Sequence, residues 1–75
     1  MRVRIDKQAD AVYLDLTGRA IESSEEVAEG IVMDYDKDGF LVGVEILDAS
    51  KKAGDPEATA NFHFDFPGLT QAVVK

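Results

Sequence analysis

From Arg2 to Asp6 the chain alternates polar and apolar residues, setting Val3 and Ile5 on one face, which is the period of a half-buried strand. After the polar stretch "DKQAD", Val12, Leu14 and Leu16 alternate with Ala11, Tyr13 and Asp15, and the run ends at the turn signal Thr17-Gly18. These two segments are predicted to pair as an antiparallel hairpin. The next stretch, "IESSEEVAEG", holds Glu22, Glu25, Glu26 and Glu29 with only Ile21 and Val27 as large apolar anchors. That is too few for a stable helix. It reads as an exposed connection, with room for a short edge strand around Ile21.

Ile31 to Asp36 and Phe40 to Leu47 are rich in β-branched and aromatic residues, and Lys37-Asp38-Gly39 separates them. A three-residue loop ending in Gly predicts a type I turn followed by a left-handed glycine. Asp48 is then placed to cap a short helix over "ASKKA", and Gly54 to end it. Beyond Asp55 the segment "NFHFDFPG" alternates Phe62, Phe64 and Phe66 with His63 and Asp65, which predicts a strand-like run stopped by Pro67-Gly68. Three Phe on one face need cover, so this tail is expected to pack on the sheet or on another chain. The fold class predicted is mainly β (α+β): an antiparallel meander of two hairpins, a short helix after the last strand, and a Phe-rich C-terminal segment packed on the sheet. Residues 1–52 form one small β-rich domain in this reading, and 53–75 an extension packing on it or on a second subunit.

The stretch "DYDKDGFLVGVE" complicates that picture, because it fits the calcium-loop pattern D-x-[DN]-x-[DN]-G-x5-E at every specified position. Asp34, Asp36 and Asp38 would be the first three ligands, Gly39 the sharp turn and Glu45 the bidentate ligand. The flanks argue otherwise. An entering helix would have to run through Gly30 and the β-branched residues that follow it. A hairpin turning at Lys37 to Gly39 instead pairs Asp36 with Phe40, Asp34 with Val42, Val32 with Val44 and Ile31 with Glu45. In that register Asp34 and Asp36 point to one face and Glu45 to the other, so one ion cannot collect both. No metal site is predicted; an incidental surface cation near Asp36 and Asp38 is the residual possibility. The same register makes both hairpin faces apolar, with Val32, Val42, Val44 and Ile46 on one and Ile31, Met33, Tyr35, Leu41 and Leu47 on the other. The second face then requires the tail, a second copy or a partner to cover it.

Length and charge narrow the functions. A chain of 75 residues is one domain near the limit at which burial offsets chain entropy, able to build a thin core and no deep cleft. It has no Cys, which removes disulfides and thiolate metal sites and favours the cytoplasm, and "MRVRID" leads into no apolar stretch that would read as a leader or membrane span. With 15 acidic against 8 basic residues the net charge is -7, which disfavours nucleic acid and favours basic partners. His63 is the lone histidine. A hydrolytic triad would need Ser50 or another Ser to meet His63 and Asp65, and a polar face opposite the Phe residues explains that pair without chemistry. Gly30, Gly39 and Gly43 form no phosphate cradle and read as turn and close-packing residues.

"IDKQADAVYLDL" at Ile5 to Leu16 and "EEVAEGIVMDYDKDGFLVGVEILDAS" at Glu25 to Ser50 resemble a small bacterial family, domain of unknown function 2283, over about residues 1–52. The chain departs from the family at Ile5, where an aromatic residue is usual, and at Gln8, where an acidic one is. The resemblance implies a compact, mainly antiparallel β domain with a short helix after the last strand. It carries no activity, cofactor or catalytic residue, and it implies an association with small toxin-like proteins. The function predicted is a non-enzymatic interaction protein with no cofactor: a homodimer or a binder of a basic protein partner, with toxin neutralisation as one such role. The alternative is a divalent-cation-binding or small enzymatic module using Asp34, Asp36 and Asp38 or His63 and Asp65.

Overall fold

The computed structural model describes residues 1–68. Strands β1 (Arg2–Asp6), β2 (Ala11–Asp15), β3 (Ser23–Ala28), β4 (Ile31–Tyr35) and β5 (Leu41–Ile46) precede a single short helix, α1 (Ala49–Ala53). All the pairings are antiparallel, and the strand order is β1-β2-β5-β4-β3. This is mainly β, as the alternation predicts, but it is not a simple pair of hairpins. The meander β3-β4-β5 turns back so that its last strand, β5, docks against β2 in the middle of the sheet.

The acidic stretch forms β3 and is not a connection. Ile21 lies outside the strand, and Ser23 to Ala28 pair with β4 although every one of their side chains is exposed. An edge strand can be held by its ladder on one side alone, so Ser and Glu side chains free in water do not oppose it. The Lys37-Asp38-Gly39 turn closes as expected: Asp36 N–H donates to Phe40 O at 2.9 Å, Gly39 N–H to Asp36 O at 3.0 Å, and Gly39 has φ 84.

The register beyond that turn differs from expectation. Tyr35 pairs with Leu41, but Asp34 pairs with Gly43, so Val42 is the extra residue of a β-bulge. Every pair further on is shifted by one: Val32 meets Glu45, Met33 meets Val44 and Ile31 meets Ile46. Directly opposed residues share a face, so Asp34 and Glu45 lie on the same face, and the hairpin has one apolar and one polar face instead of two apolar ones. Without the bulge Glu45 would stand opposite Ile31 on the apolar side. With it, Ile31, Met33, Val44 and Ile46 join Val12, Leu14, Val3 and Ile5 on one face, through the pairs Val12–Ile46, Leu14–Val44, Val3–Leu14 and Ile5–Val12. Avoiding a buried unpaired carboxylate is the physical reason for the shift.

Helix α1 is capped from a distance. Asp48 adopts the left-handed region (φ 52) and makes no side-chain cap. Asp10, in the β1–β2 turn and also left-handed (φ 55), takes that role. Its main-chain oxygen accepts Ala49 N–H at 2.9 Å, and its carboxylate accepts Ser50 N–H at 3.0 Å and Ser50 Oγ–H at 2.8 Å. The backbone of Gly54, also left-handed, ends the helix as the sequence suggests.

Residues 55–68 form no strand, contrary to the alternation of "NFHFDFPG". Phe62 meets Phe64 edge to face with ring centroids 5.5 Å apart, Phe64 stacks on Phe66 at 6.3 Å, and all three remain about half exposed. Phe62 and Phe64 run beside Val3 and Ile5 at one margin of the apolar face. Of the extension expected over 53–75, residues 69–75 lie outside the described residues. Extents of 34 × 32 × 19 Å and a radius of gyration of 14.0 Å, against about 11 Å for a compact chain of this length, describe one flat layer. Among the described apolar side chains only Val42, at the bulge, is fully buried, at 1% exposure.

Candidate functional site

The polar face is organised by Gly43. On β5 it is flanked by Asp15 of β2 and Asp34 of β4. The Tyr13 ring crosses it: a Cβ at Gly43 would lie 2.7 Å from Tyr13 Cζ and 2.9 Å from Leu14 O. Only glycine leaves that path open. Tyr13 Oη–H therefore reaches from β2 across β5 and donates to Asp34 Oδ2 at 3.0 Å, while Ser24 Oγ–H of β3 donates to Asp34 Oδ1 at 2.6 Å. Asp34 is buried, at 7% exposure, yet both its oxygens are satisfied by donors from the strands around it. Burial first, then the hydrogen bond to Asp34 and the neighbouring carboxylates, pushes the Tyr13 phenol up from its ordinary value, so it stays neutral and acts as a donor.

Asp36 is the second buried carboxylate. Its Oδ1 accepts the N–H groups of Asp38 and Phe40, each at 2.9 Å, and its Oδ2 meets Arg19 Nη1 at 3.1 Å. The Phe40 N–H is the main cause holding its carboxyl below the usual range, and the Asp38 N–H and Arg19 reinforce it. The calcium-loop letters are thus used internally: Asp34 binds strands together, Asp36 ties the turn to the loop carrying Arg19, and Asp38 is exposed. Glu45 shares a face with Asp34, against the sequence-based register, but the strand geometry does not wrap these residues into a cage. Among the described residues no group of three or more His, Cys, Asp or Glu is placed to hold a metal ion.

Beside this network lies an open recess of about 560 Å³, lined by charges of both signs, including Arg4, Asp6, Asp15, Arg19 and Glu45. Ser50, the nucleophile a triad would need, donates to Asp10 and not to His63. His63 and Asp65 both lie on the exposed tail. Among the described residues no buried side-chain nitrogen or oxygen lacks a partner. The buried polar groups on this side are therefore a closed set of bonds.

Among the described residues nothing closes the apolar side. Val3, Ile5, Val12, Leu14, Ile31, Met33, Val44 and Ile46 are each only partly buried, and the exposed Phe62 and Phe64 extend the same surface. Glu25 stands at its other margin, opposite Met33. Sequence reasoning missed the Tyr13–Asp34–Ser24 network and the extent of this face, because both depend on the bulge at Val42 and on β5 lying between β2 and β4. Gly43 inside a β-branched run was the one available signal, since glycine in a strand marks a close approach.

A small antiparallel domain of five strands and one helix, with a self-satisfied polar face and a half-covered apolar one, is the class this geometry defines. Residues 2–50 match the family described as protein of unknown function (DUF2283), and the chain belongs to that family. A search of curated proteins and a search of solved structures each return no match. Among the described residues no helix is long and apolar enough to cross a membrane.

Proposed function

We propose that the protein is a non-enzymatic interaction module whose apolar sheet face seats another polypeptide. The observation that carries this reading is the partial exposure of eight aliphatic and Met side chains on one face of the sheet, continuous with Phe62 and Phe64. Antiparallel sheets usually have one face in water and one on a core; here the face that should lie on a core is only partly covered. Net charge -7, with Glu25 at the rim of the face and Glu22, Glu26 and Glu29 nearby on the chain, favours a basic partner. Neutralisation of a small basic toxin-like protein is one role of this kind, and a second copy of the chain is the other candidate occupant. Light scattering on the protein purified gently from its native host tests the reading. A particle heavier than the 8.2 kDa chain supports it, and a lone monomer with no bound protein contradicts it.

A further inference from the structure

The sheet has two open edges, and they are chemically opposite. β3 is bulged between Glu26 and Ala28 and is flanked or occupied by Glu22, Glu25, Glu26 and Glu29. Two copies meeting there would oppose like charges across an irregular ladder, so the edge is protected against self-pairing. β1 is a regular five-residue strand with no bulge and no run of like charge, and Phe62 and Phe64 lie beside its Val3 and Ile5. Among the described residues nothing pairs with its outer side, no hydrogen bond ties the tail to its backbone, and neither Arg2 nor Arg4 is in an ion pair.

We propose that a second copy of the chain pairs with β1 along this edge, antiparallel, about a two-fold axis at Arg4. The residue pattern selects that register. With Arg4 on the axis, Arg2 of each copy stands opposite Asp6 of the other, and Val3 stands opposite Ile5, so opposite charges meet on the polar face and apolar residues on the apolar one. The one unfavourable pair, Arg4 with its own copy, lies in a recess that also contains Asp6 and Asp15. Shifting the register by two residues so that Val3 lies on the axis puts Arg2 opposite Arg4 twice. The shift that puts Ile5 there keeps Arg4 opposite Asp6 but shortens the paired stretch within β1 from five residues to three. Pairing through β1 gives one ten-stranded sheet whose two outer edges are both the acidic, bulged β3, so assembly closes at two copies. It also doubles the width of the apolar face. This inference deepens the reading of the protein as an interaction module, because it names a partner and its edge.

The chain has no native cysteine, so introduced thiols report the register cleanly. Position 4 is the one residue that lies opposite itself in the dimer, within disulfide reach. Arg4→Cys is expected to form a covalent dimer on mild oxidation at low micromolar protein, because pairing raises the effective thiol concentration to about the millimolar range. Arg2→Cys and Glu25→Cys are expected to cross-link about tenfold more slowly or worse, as unassisted bimolecular reactions. Circular dichroism confirms that each variant is folded. Mixing supplies a second arm: Arg2→Glu and Asp6→Lys chains are each expected to be monomeric alone and to form a heterodimer together. Equal cross-linking at all three positions overturns the proposal, as does a failure of the mixed chains to associate. If that happens while the native particle remains heavier than one chain, the edge assignment fails and the interaction-module reading stands. If the native particle is a bare monomer, both fail.

Discussion

The two faces of this sheet are built from the same five strands and finished to different degrees. On the polar face Asp34 is buried and its oxygens accept Tyr13 Oη–H and Ser24 Oγ–H, joining β2, β4 and β3 across Gly43 of β5. On the apolar face the side chains that should form a core are only partly covered, and the Phe tail leaves Phe62, Phe64 and Phe66 about half exposed. The difference separates what holds the single chain together from what it offers to others. Substitutions within the Asp34 network should alter stability without altering association, and those on the apolar face should alter association more than stability.

The largest effect is expected at Gly43. Gly43→Val puts a branched side chain where Tyr13 and Leu14 leave no room, and should destabilise the fold by about 3 kcal/mol as overpacking; urea unfolding measures it. A loss below about 1 kcal/mol would mean that the Tyr13 crossing is dispensable. Asp34→Ala follows, because it strands the hydroxyls of Tyr13 and Ser24 together, and about 2 kcal/mol is expected by the same measurement. Tyr13→Phe removes one donor and leaves Ser24 in place, so about 1 kcal/mol is expected. Leu14→Ala and Met33→Gln on the apolar face sharpen the contrast: each should weaken association with a partner by more than it weakens the isolated chain, as paired calorimetric and unfolding measurements would show. Equal losses in both would place these side chains in a closed internal core.

Acid provides a smaller but signed test. The Ser50 hydroxyl and N–H hold the Asp10 carboxyl below its ordinary value, as the Phe40 N–H does for Asp36. A lowered folded-state value means that the unfolded chain binds more protons, so the contribution is fully present above about pH 4 and drains as pH falls through the folded values. Thermal unfolding followed from about pH 6 down to about pH 3 should show that loss, and Asp36→Asn should remove the Asp36 share of it while leaving that of Asp10. Tyr13 runs the other way: its raised value gives stability that is present below about pH 10 and is lost as pH rises further, and Tyr13→Phe should abolish that loss.

The contrast between the faces also explains what the chain's letters disclose. Strands β1, β2, β4 and β5, the turn at Gly39 and the helix end at Gly54 are legible because each is written locally, in an alternation of period two or a glycine where the backbone turns left-handed. β3 is not, because an edge strand with both faces in water has no alternation to display. The bulge at Val42 is one residue long and leaves no mark of its own, yet it decides which face Glu45 joins and turns two half-apolar faces into one polar and one apolar. The cap on α1 spans 40 residues from Asp10 to Ser50, and a neighbouring Asp48 offers a nearer but unused alternative. The buried network at Asp34 requires four strands in the order β2-β5-β4-β3, which no local pattern specifies.

Attenuation of methyl signals by a soluble paramagnetic probe, applied to the assembly purified from the native host, tests the claim that the apolar face is occupied. Val27 and Leu47, exposed at 47% and 39%, serve as internal standards for methyls in contact with solvent. The methyls of Leu14, Ile31, Val44 and Ile46 are expected to be shielded well beyond those standards and to become more accessible when the chain is isolated by dilution. Attenuation as strong as that of Val27 and Leu47 in the native assembly would show a face left bare, and would contradict it.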